Sequence, residues 1–367
     1  MSKASTTTTY KYASVSNHSY AAAKTSILES ESSVSVSTSH IATVNVSIDE
    51  SELSVVESKN FTLDDMVKVS SNTHVLGVAS NTTNQEQIFS YARTDRSGAA
   101  IHDMIMCHAL AFSRGVKYVG GCVKKNTKFD TRLVQPRKEL LRMLGVDFHF
   151  YKKCPKGAKV VPAIEYFDHA ELFTDEYMDH LRNTSTPSVD LGPQQRPPRI
   201  TVHIRRGDVT PCGKNTSGYF RYLPNQHYLT LIDRYKEELS HRMNHTSAKY
   251  SSSEIDVLIF SESKSYESFD AFRNLGYTVV LDGHLQTVWK RIVFETDVVI
   301  LSRSSFSMVP GIFSQALSPD PTTVVYTPFW HDPLNQFDNA GDLYPELVKS
   351  TAVELQQMRS SCRKSTT

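Results

Sequence analysis

Residues 200–209 read ITVHIRRGDV. Ile200, Val202 and Ile204 alternate with Thr201, His203 and Arg205, which is the period of a strand. The stretch then delivers two arginines, a glycine and an aspartate to a single point. Arginine stays charged and presents a planar fork of donors, so two of them at a strand end suit an anion with several oxygens. What the rest of the chain builds around that point decides how the stretch is read.

Downstream, apolar runs at 256–262, 277–282, 297–302 and 322–328 read as strands, and 225–243, 266–275, 285–295 and 306–315 read as helices. These strands are nearly continuous in Val, Ile and Leu, the pattern of a parallel sheet covered on both faces. Upstream the alternation recurs more loosely. Strands are expected at 87–93, 117–123, 146–151 and 159–164, with helices at 100–114, 136–144 and 170–182. Between the halves lies NTSTPSVDLGPQQRPPR, residues 183–199, whose four prolines and polar filler mark a linker. The expected fold is therefore α/β: two Rossmann-like domains facing a cleft, with ligands at the carboxyl ends of the strands. The boundaries are 66–198 for the first domain including the linker, 200–330 for the second, and 331–367 for an extension with a final helix near 352–359. Residues 1–65 are rich in Ser and Thr and too poor in apolar side chains to offset ordering entropy, so they read as a disordered tail or stalk.

The 367 residues carry 40 Lys and Arg against 39 Asp and Glu. Such balance argues against a general nucleic-acid or membrane-surface protein, so an anion site must be local. The five cysteines, Cys107, Cys122, Cys154, Cys212 and Cys362, match no zinc spacing; one or two disulfides stay open. No apolar run approaches the roughly 20 residues that span a bilayer, and the amino terminus lacks the apolar middle of a signal peptide. N-x-S/T sequons stand at Asn17, Asn45, Asn60, Asn81, Asn183, Asn215 and Asn244. They read equally as a by-product of abundant Ser and Thr or as a mark of the secretory pathway.

Three places carry chemistry. HIRRGD, 203–208, ends the second domain's first strand. A guanidinium there would stabilise the charge that builds on a departing diphosphate, a donor effect worth about 10²–10³ in rate. The alternative is a pair of arginines bridged to Asp208 and another carboxylate. The RGD tripeptide directly follows a buried strand, which fixes it in the fold rather than displaying it for adhesion. The second place is SRSSFS, 302–307, where a strand ends and a helix opens. Free amides at a helix start bind anions, with Ser304, Ser305 and Ser307 as added donors; a plain helix cap is the alternative. The third is the loop TDRSG before the helix at 100, where Gly98 permits close backbone approach. It lacks the GxGxxG spacing of a dinucleotide fingerprint.

HIRRGD followed downstream by a strand and SRSSFS resembles the GT-B fucosyltransferases with the H-x-R-R-x-D motif, the superfamily of α1,2-, α1,6- and protein O-fucosyltransferases. The likeness covers mainly 200–316, with a looser match of RSGAAIHDMIMCHALAFSRG to the family's opening glycine loop and helix. It implies inverting transfer of fucose from GDP-β-L-fucose to a glycan or protein hydroxyl. GDP-fucose would be a co-substrate, with no further cofactor and no essential metal. On that resemblance Arg205 and Arg206 are the catalytic candidates. His203, Arg205, Arg206, Asp208, Ser304, Ser305, Phe306 and Gly98 are the donor-binding set. The chain departs from the family in two places: Ala99-Ala100 replaces the usual Asn-Gln, and 209–219 holds no carboxylate, so the general base is unassigned.

Two other readings stay open: a non-catalytic GDP-sugar or glycan binder of the same fold, and a transferase for another anionic donor such as a sulfate donor. The implied partners are a nucleotide-sugar donor and a glycan or glycoprotein acceptor. Resemblance and sequons favour the Golgi or another secretory lumen, with the cytoplasm as the alternative.

Overall fold

The computed structural model describes residues 86–367, apart from 94–96, 125–131, 133, 167–168, 189–195, 214–215, 245–251, 319–321, 329–333, 335 and 365–367. The expected tail at 1–65 and the middle of the expected linker lie outside the described residues. All described residues fall in one compact unit.

The α/β expectation holds. Every strand pair is parallel, in two sheets. The first sheet contains β1 (Gln87–Tyr91), β2 (Lys117–Cys122), β3 (His149–Tyr151) and β4 (Lys159–Val161) in the order β3-β2-β1-β4. The second contains β5 (Arg199–His203), β6 (Asp256–Ser261), β7 (Thr278–Leu281), β8 (Val298–Ile300), β9 (Thr323–Tyr326) and β10 (Asp338–Asn339), ordered β10-β9-β8-β5-β6-β7. Read from β7, the second sheet has the 3-2-1-4-5-6 order of a doubly wound nucleotide-binding fold, and its direction of winding reverses between β5 and β8. The helices are α1 (Ser97–Ser113), α2 (Val134–Leu144), α3 (Asp175–Thr184), α4 (Thr216–Arg221), α5 (Asn225–Asn244), α6 (Asp270–Asn274), α7 (Leu285–Phe294), α8 (Ser305–Leu317), α9 (Ala340–Leu343) and α10 (Pro345–Lys364).

Alternation along the strands assigns the layers. Ile200 and Val202 of β5, Val257 and Ile259 of β6, and Val298 and Ile300 of β8 turn to one face and pack on Leu231, Ile232 and Tyr235 of α5. Leu258, Phe260, Val299 and Val324 turn to the other face, where they meet Trp289 and Ile292 of α7 and Met308, Ile312 and Phe313 of α8. That second cluster continues into the first half through Ile101, Met104 and Ile105 of α1 and Leu140 and Leu144 of α2, so one core joins the two sheets. Arg182 of α3 adds a hydrogen bond to the Ala316 carbonyl at 2.8 Å.

Several elements differ from the sequence reading for local reasons. Thr174 caps α3 by accepting from the Tyr177 amide, so the helix starts at Asp175 and a 3-10 turn occupies 170–172. The last helix is much longer than 352–359 and opens on Pro345, whose missing N–H costs nothing at a first helical position. It packs on the second half. Thr351 bonds His227 of α5 at 2.8 Å, Leu355 joins Val209 and Tyr222, and Arg359 lies 4.5 Å from the Tyr219 ring centroid. Disulfides link Cys122 to Cys154 and Cys212 to Cys362, and Cys107 is a buried free thiol.

Three histidines are held neutral. Burial lowers His108 to about 4, with His180 adding to the effect; burial and Arg205 lower His203 to about 3; burial and Arg303 lower His227 to about 3. The unfolded chain protonates each near pH 6.5 while the native chain does not. Stability is therefore complete above that value and falls as pH drops toward 4 and 3, by up to about 1.4 kcal/mol per pH unit for each histidine. Thermal unfolding should show a steep drop in midpoint between pH 6.5 and 4.5, made shallower by His227→Gln. A flat profile over that window contradicts the assignment.

Candidate functional site

The site forms where the second sheet reverses direction. β5 and β8 are hydrogen-bonded neighbours, so the segments leaving their carboxyl ends, 204–208 and 301–304, emerge side by side. Alternation carries past the end of β5. Ile204 still bonds the Phe260 carbonyl through its amide at 2.8 Å, which keeps 204–206 close to strand geometry. His203 and Arg205 therefore face α8, and Arg206 faces α5.

Arg205 is almost fully buried and all three of its guanidinium nitrogens are engaged. Nε and Nη2 donate to the two carboxylate oxygens of Asp208 at 3.2 and 2.8 Å, and Nη1 donates to Ser304 Oγ at 2.6 Å. Ser304 is also the N-cap of α8 and accepts from the Phe306 amide at 3.2 Å. One hydroxyl thus fixes both the arginine and the helix start. His203 Nδ1 shares a proton with Ser302 Oγ at 2.7 Å, and its ring lies 4.8 Å from that of Phe306, tilted by 31°. Phe306 in turn meets Trp289 at 5.9 Å. Ser307 closes the turn internally, bonding Ser302 Oγ and the carbonyls of Ser302 and Ser304. Ser305 opens the helix and is half-buried.

Gly98, in the first turn of α1, completes the arrangement. A Cβ at Gly98 would stand 2.6 Å from Phe306 Cα and 3.0 Å from Phe306 N, closer than real carbon atoms approach. Only glycine lets the start of α1 touch the start of α8. Neither helix has an acidic residue in its first turn. Two helix amino termini and Arg205 therefore converge, each contributing positive potential.

Arg206, placed beside Arg205 as a catalytic and donor-binding candidate by the sequence, does not join them: it lies on the opposite face of the strand. Its side chain is fully buried on the α5 face. Nη2 donates to Asn225 Oδ1 at 2.7 Å and lies 3.5 Å from Glu267, Nη1 donates to the Arg205 carbonyl at 3.0 Å, and the guanidinium sits 4.2 Å from the Tyr222 ring centroid. Glu267 also accepts from the Asn225 amide and the Tyr222 hydroxyl. This network anchors α5 to the end of β5. Arg303, whose charge the sequence places in the serine turn, reaches away to the Phe220 carbonyl at 2.9 Å.

Glu262 escaped the sequence reading. It follows β6, the other neighbour of β5, and accepts the Arg206 amide at 2.7 Å. Gly207 turns with φ +71°, and a Cβ there would be 3.5 Å from the Glu262 side chain. Burial pushes the Glu262 carboxyl up, with Arg205 pulling it down in part. The signal that could have found it is its place at the carboxyl end of a strand adjoining β5. Two other carboxylates of the second domain stand apart from the corner: Glu295 lies at the opposite end of the sheet, paired with Arg199 at 3.4 Å. Asp282 is exposed at the end of β7 and accepts from the Ser263 amide at 3.0 Å.

No family model and no curated protein matches the chain. Among solved structures, POFUT1 in complex with GDP aligns with TM-score 0.33 and 11% identity over 65% of this chain and 97% of that one. POFUT1 in complex with GDP-fucose aligns at 0.31 and 9%, covering 68% and 98%. The E. coli heptosyltransferase WaaC with ADP-2-deoxy-2-fluoro heptose aligns at 0.31 and 13%, covering 73% and 99%. Likeness this distant decides nothing about function; the side chains must.

Arg205→Ala should leave the fold nearly as stable as the parent, because its main partner Asp208 is exposed and gains water. Arg206→Ala should cost about 3–5 kcal/mol, since it strands Glu267 and Asn225 in the interior. Gly98→Ala should cost about 1–3 kcal/mol by forcing the two helix starts apart. Urea unfolding of the three variants checks the order; equal losses for Arg205→Ala and Arg206→Ala would contradict the two placements.

Proposed function

We propose that the chain is an inverting glycosyltransferase that uses a nucleoside-diphosphate sugar, with GDP-β-L-fucose as donor and a glycan or protein hydroxyl as acceptor. One observation carries the reading: Arg205, buried and oriented, points a donor at the N-cap of α8 where the start of α1 also arrives. Such a corner suits a diphosphate. The acceptor oxygen bonds to the anomeric carbon from one face as the bond to the β-phosphate oxygen breaks on the other. GDP leaves with the electron pair, and the acceptor hydroxyl gives up its proton. Arg205 and the helix amides would stabilise the charge that accumulates on the departing diphosphate. Asp208, the exposed partner, can release the guanidinium to a phosphate. His203, kept neutral, shapes the wall with Phe306 and carries no charge of its own. In this role Arg206 supports the loop and touches no substrate.

A second reading is favoured by the state of the carboxylates. Asp208 is held by Arg205 and Glu262 by the Arg206 amide, so neither stands unengaged as a base. On that reading the chain binds the nucleotide sugar without transferring it. Residence in a secretory lumen is supported by the two disulfides, which persist in oxidising compartments, and by the exposed sequon asparagine Asn183.

Calorimetry with GDP, paired with a transfer and donor-hydrolysis assay in excess chelator, tests both readings. Binding with turnover is the expected result, and Arg205→Ala should lower turnover by about 10²–10³. Binding without turnover selects the second reading. Absence of GDP binding, or full turnover by Arg205→Ala, removes the donor-site assignment.

A further inference from the structure

Charge is distributed unevenly along this nearly neutral chain. Residues 114–159 hold 13 Lys and Arg against 3 Asp and Glu, so the remaining residues are net acidic. Some of these cations have structural work. Arg114 pairs with Glu165 at 3.0 Å, Lys159 with Glu86, and Arg137 is buried against the Arg93 carbonyl at 2.9 Å. Lys138, Arg142, Lys152, Lys153 and Lys156 are exposed and have no ion pair among the described residues. Lys138 and Arg142 line a groove beside β3, and Lys152 and Lys153 directly follow that strand.

The edge strand there is β3, which among the described residues pairs only with β2. Beside it runs a groove of about 600 Å³ whose lining includes Lys138 and Arg142 from α2, and Phe148, His149, Phe150 and Tyr151 on the strand side. Asp147, the acidic residue in the lining, lies 3.7 Å from His149. An open strand edge presents unpaired amides and carbonyls, and the groove offers partly buried aromatic surface beneath flanking cations. The spacing is informative too. Lys138 and Arg142 are one helical turn apart, with Cβ atoms about 5–6 Å from each other. Alternate side chains of an extended chain are about 6.6–6.8 Å apart. Acidic residues at alternate positions of an added strand would therefore meet both cations at once, and Lys152 and Lys153 continue the basic track just past β3.

We propose that this groove binds an extended acidic polypeptide segment, which adds to the open edge of β3 as a fifth strand and sets alternate carboxylates against Lys138 and Arg142. Backbone pairing supplies the register and the cations select acidic sequence. The binding needs no sugar nucleotide, so it stands apart from the donor-site reading.

Fluorescence anisotropy on the full chain, without nucleotide, tests it. The probe is a labelled ten-residue peptide with Glu at alternate positions and Thr or Val between. The same peptide methylated on alternate backbone nitrogens, a sulfated oligosaccharide and an oligonucleotide of equal charge serve as competitors. The expected result is saturable binding of the peptide, weakened at least tenfold by backbone methylation and at least tenfold by Lys138→Glu/Arg142→Glu. Both substituted side chains are exposed, and an unchanged thermal midpoint shows that the variant folds. Lys236→Glu, on α5, should leave binding unchanged. Equal affinity for the methylated peptide, tighter binding of the sulfated or nucleic-acid probe, indifference to the double charge reversal, or no binding overturns the proposal.

Discussion

Adjacency of β5 and β8 in one parallel sheet is the constraint on which the rest of the candidate site depends. The sheet winds outward in both directions from that pair, so no crossover helix covers the gap between the two strand ends. Into this gap the chain places Arg205 from one strand and Ser304 from the other, 2.6 Å apart. Ser304 ties the contact to the axis of α8, and Gly98 brings a second helix start to the same corner. Had β5 and β8 been separated by another strand, the same residues would form two unrelated caps.

The two arginines illustrate how burial divides labour between neighbours. Both guanidinium groups are largely removed from water, which is costly unless every donor finds a partner. Arg206 recovers most of that cost with Asn225, Glu267 and the Tyr222 ring, all supplied by the protein, while its Nε is buried without a hydrogen-bond partner. Arg205 recovers it with Ser304 and with Asp208, whose side chain is 41% exposed. An exposed carboxylate can exchange its arginine for water at little cost. Arg205 is therefore held in place by one buried and one exposed partner, which is what the proposed donor-site role would use.

Much of this was legible in the sequence. The buried Val, Ile and Leu runs mark the strands, and the carboxyl-end rule brings HIRRGD and SRSSFS to one end of the sheet from sequence alone. The separation of Arg206 from Arg205 was not anticipated, although the information was present. Ile200, Val202, Ile204 and Arg206 share one parity, Thr201, His203 and Arg205 the other, and a period of two sends the two arginines to opposite faces. Treating RR as a unit ignored that period. Glu262 was missed for a different reason: a lone glutamate after a strand has no local signature, and its importance comes only from β6 lying beside β5. The partners of Cys122 and Cys212 were likewise unreadable, because pairing across 32 and 150 residues depends on tertiary approach. The length of α10 was readable from Leu347, Thr351, Leu355 and Met358, which repeat at helical spacing.

The positive charge of this chain is divided into two kinds that respond to different physics. Arg205 and the helix starts act from within the protein, where a few oriented donors are screened little by salt and need no excess of charge around them. The cations of α2 and the segment after β3 stand in water, where the Debye length at physiological ionic strength is about 8 Å. Singly, each contributes little; only a partner that engages several at once, at matched spacing, gains from them. An excess of ten positive charges confined to 46 residues, in a chain otherwise net acidic, is poorly suited to recognising one small anion. It is better matched to the extended acidic segment proposed for the β3 groove. The near-neutral total therefore conceals two separate basic features, an exposed one in the first half and a buried one at the strand ends of the second.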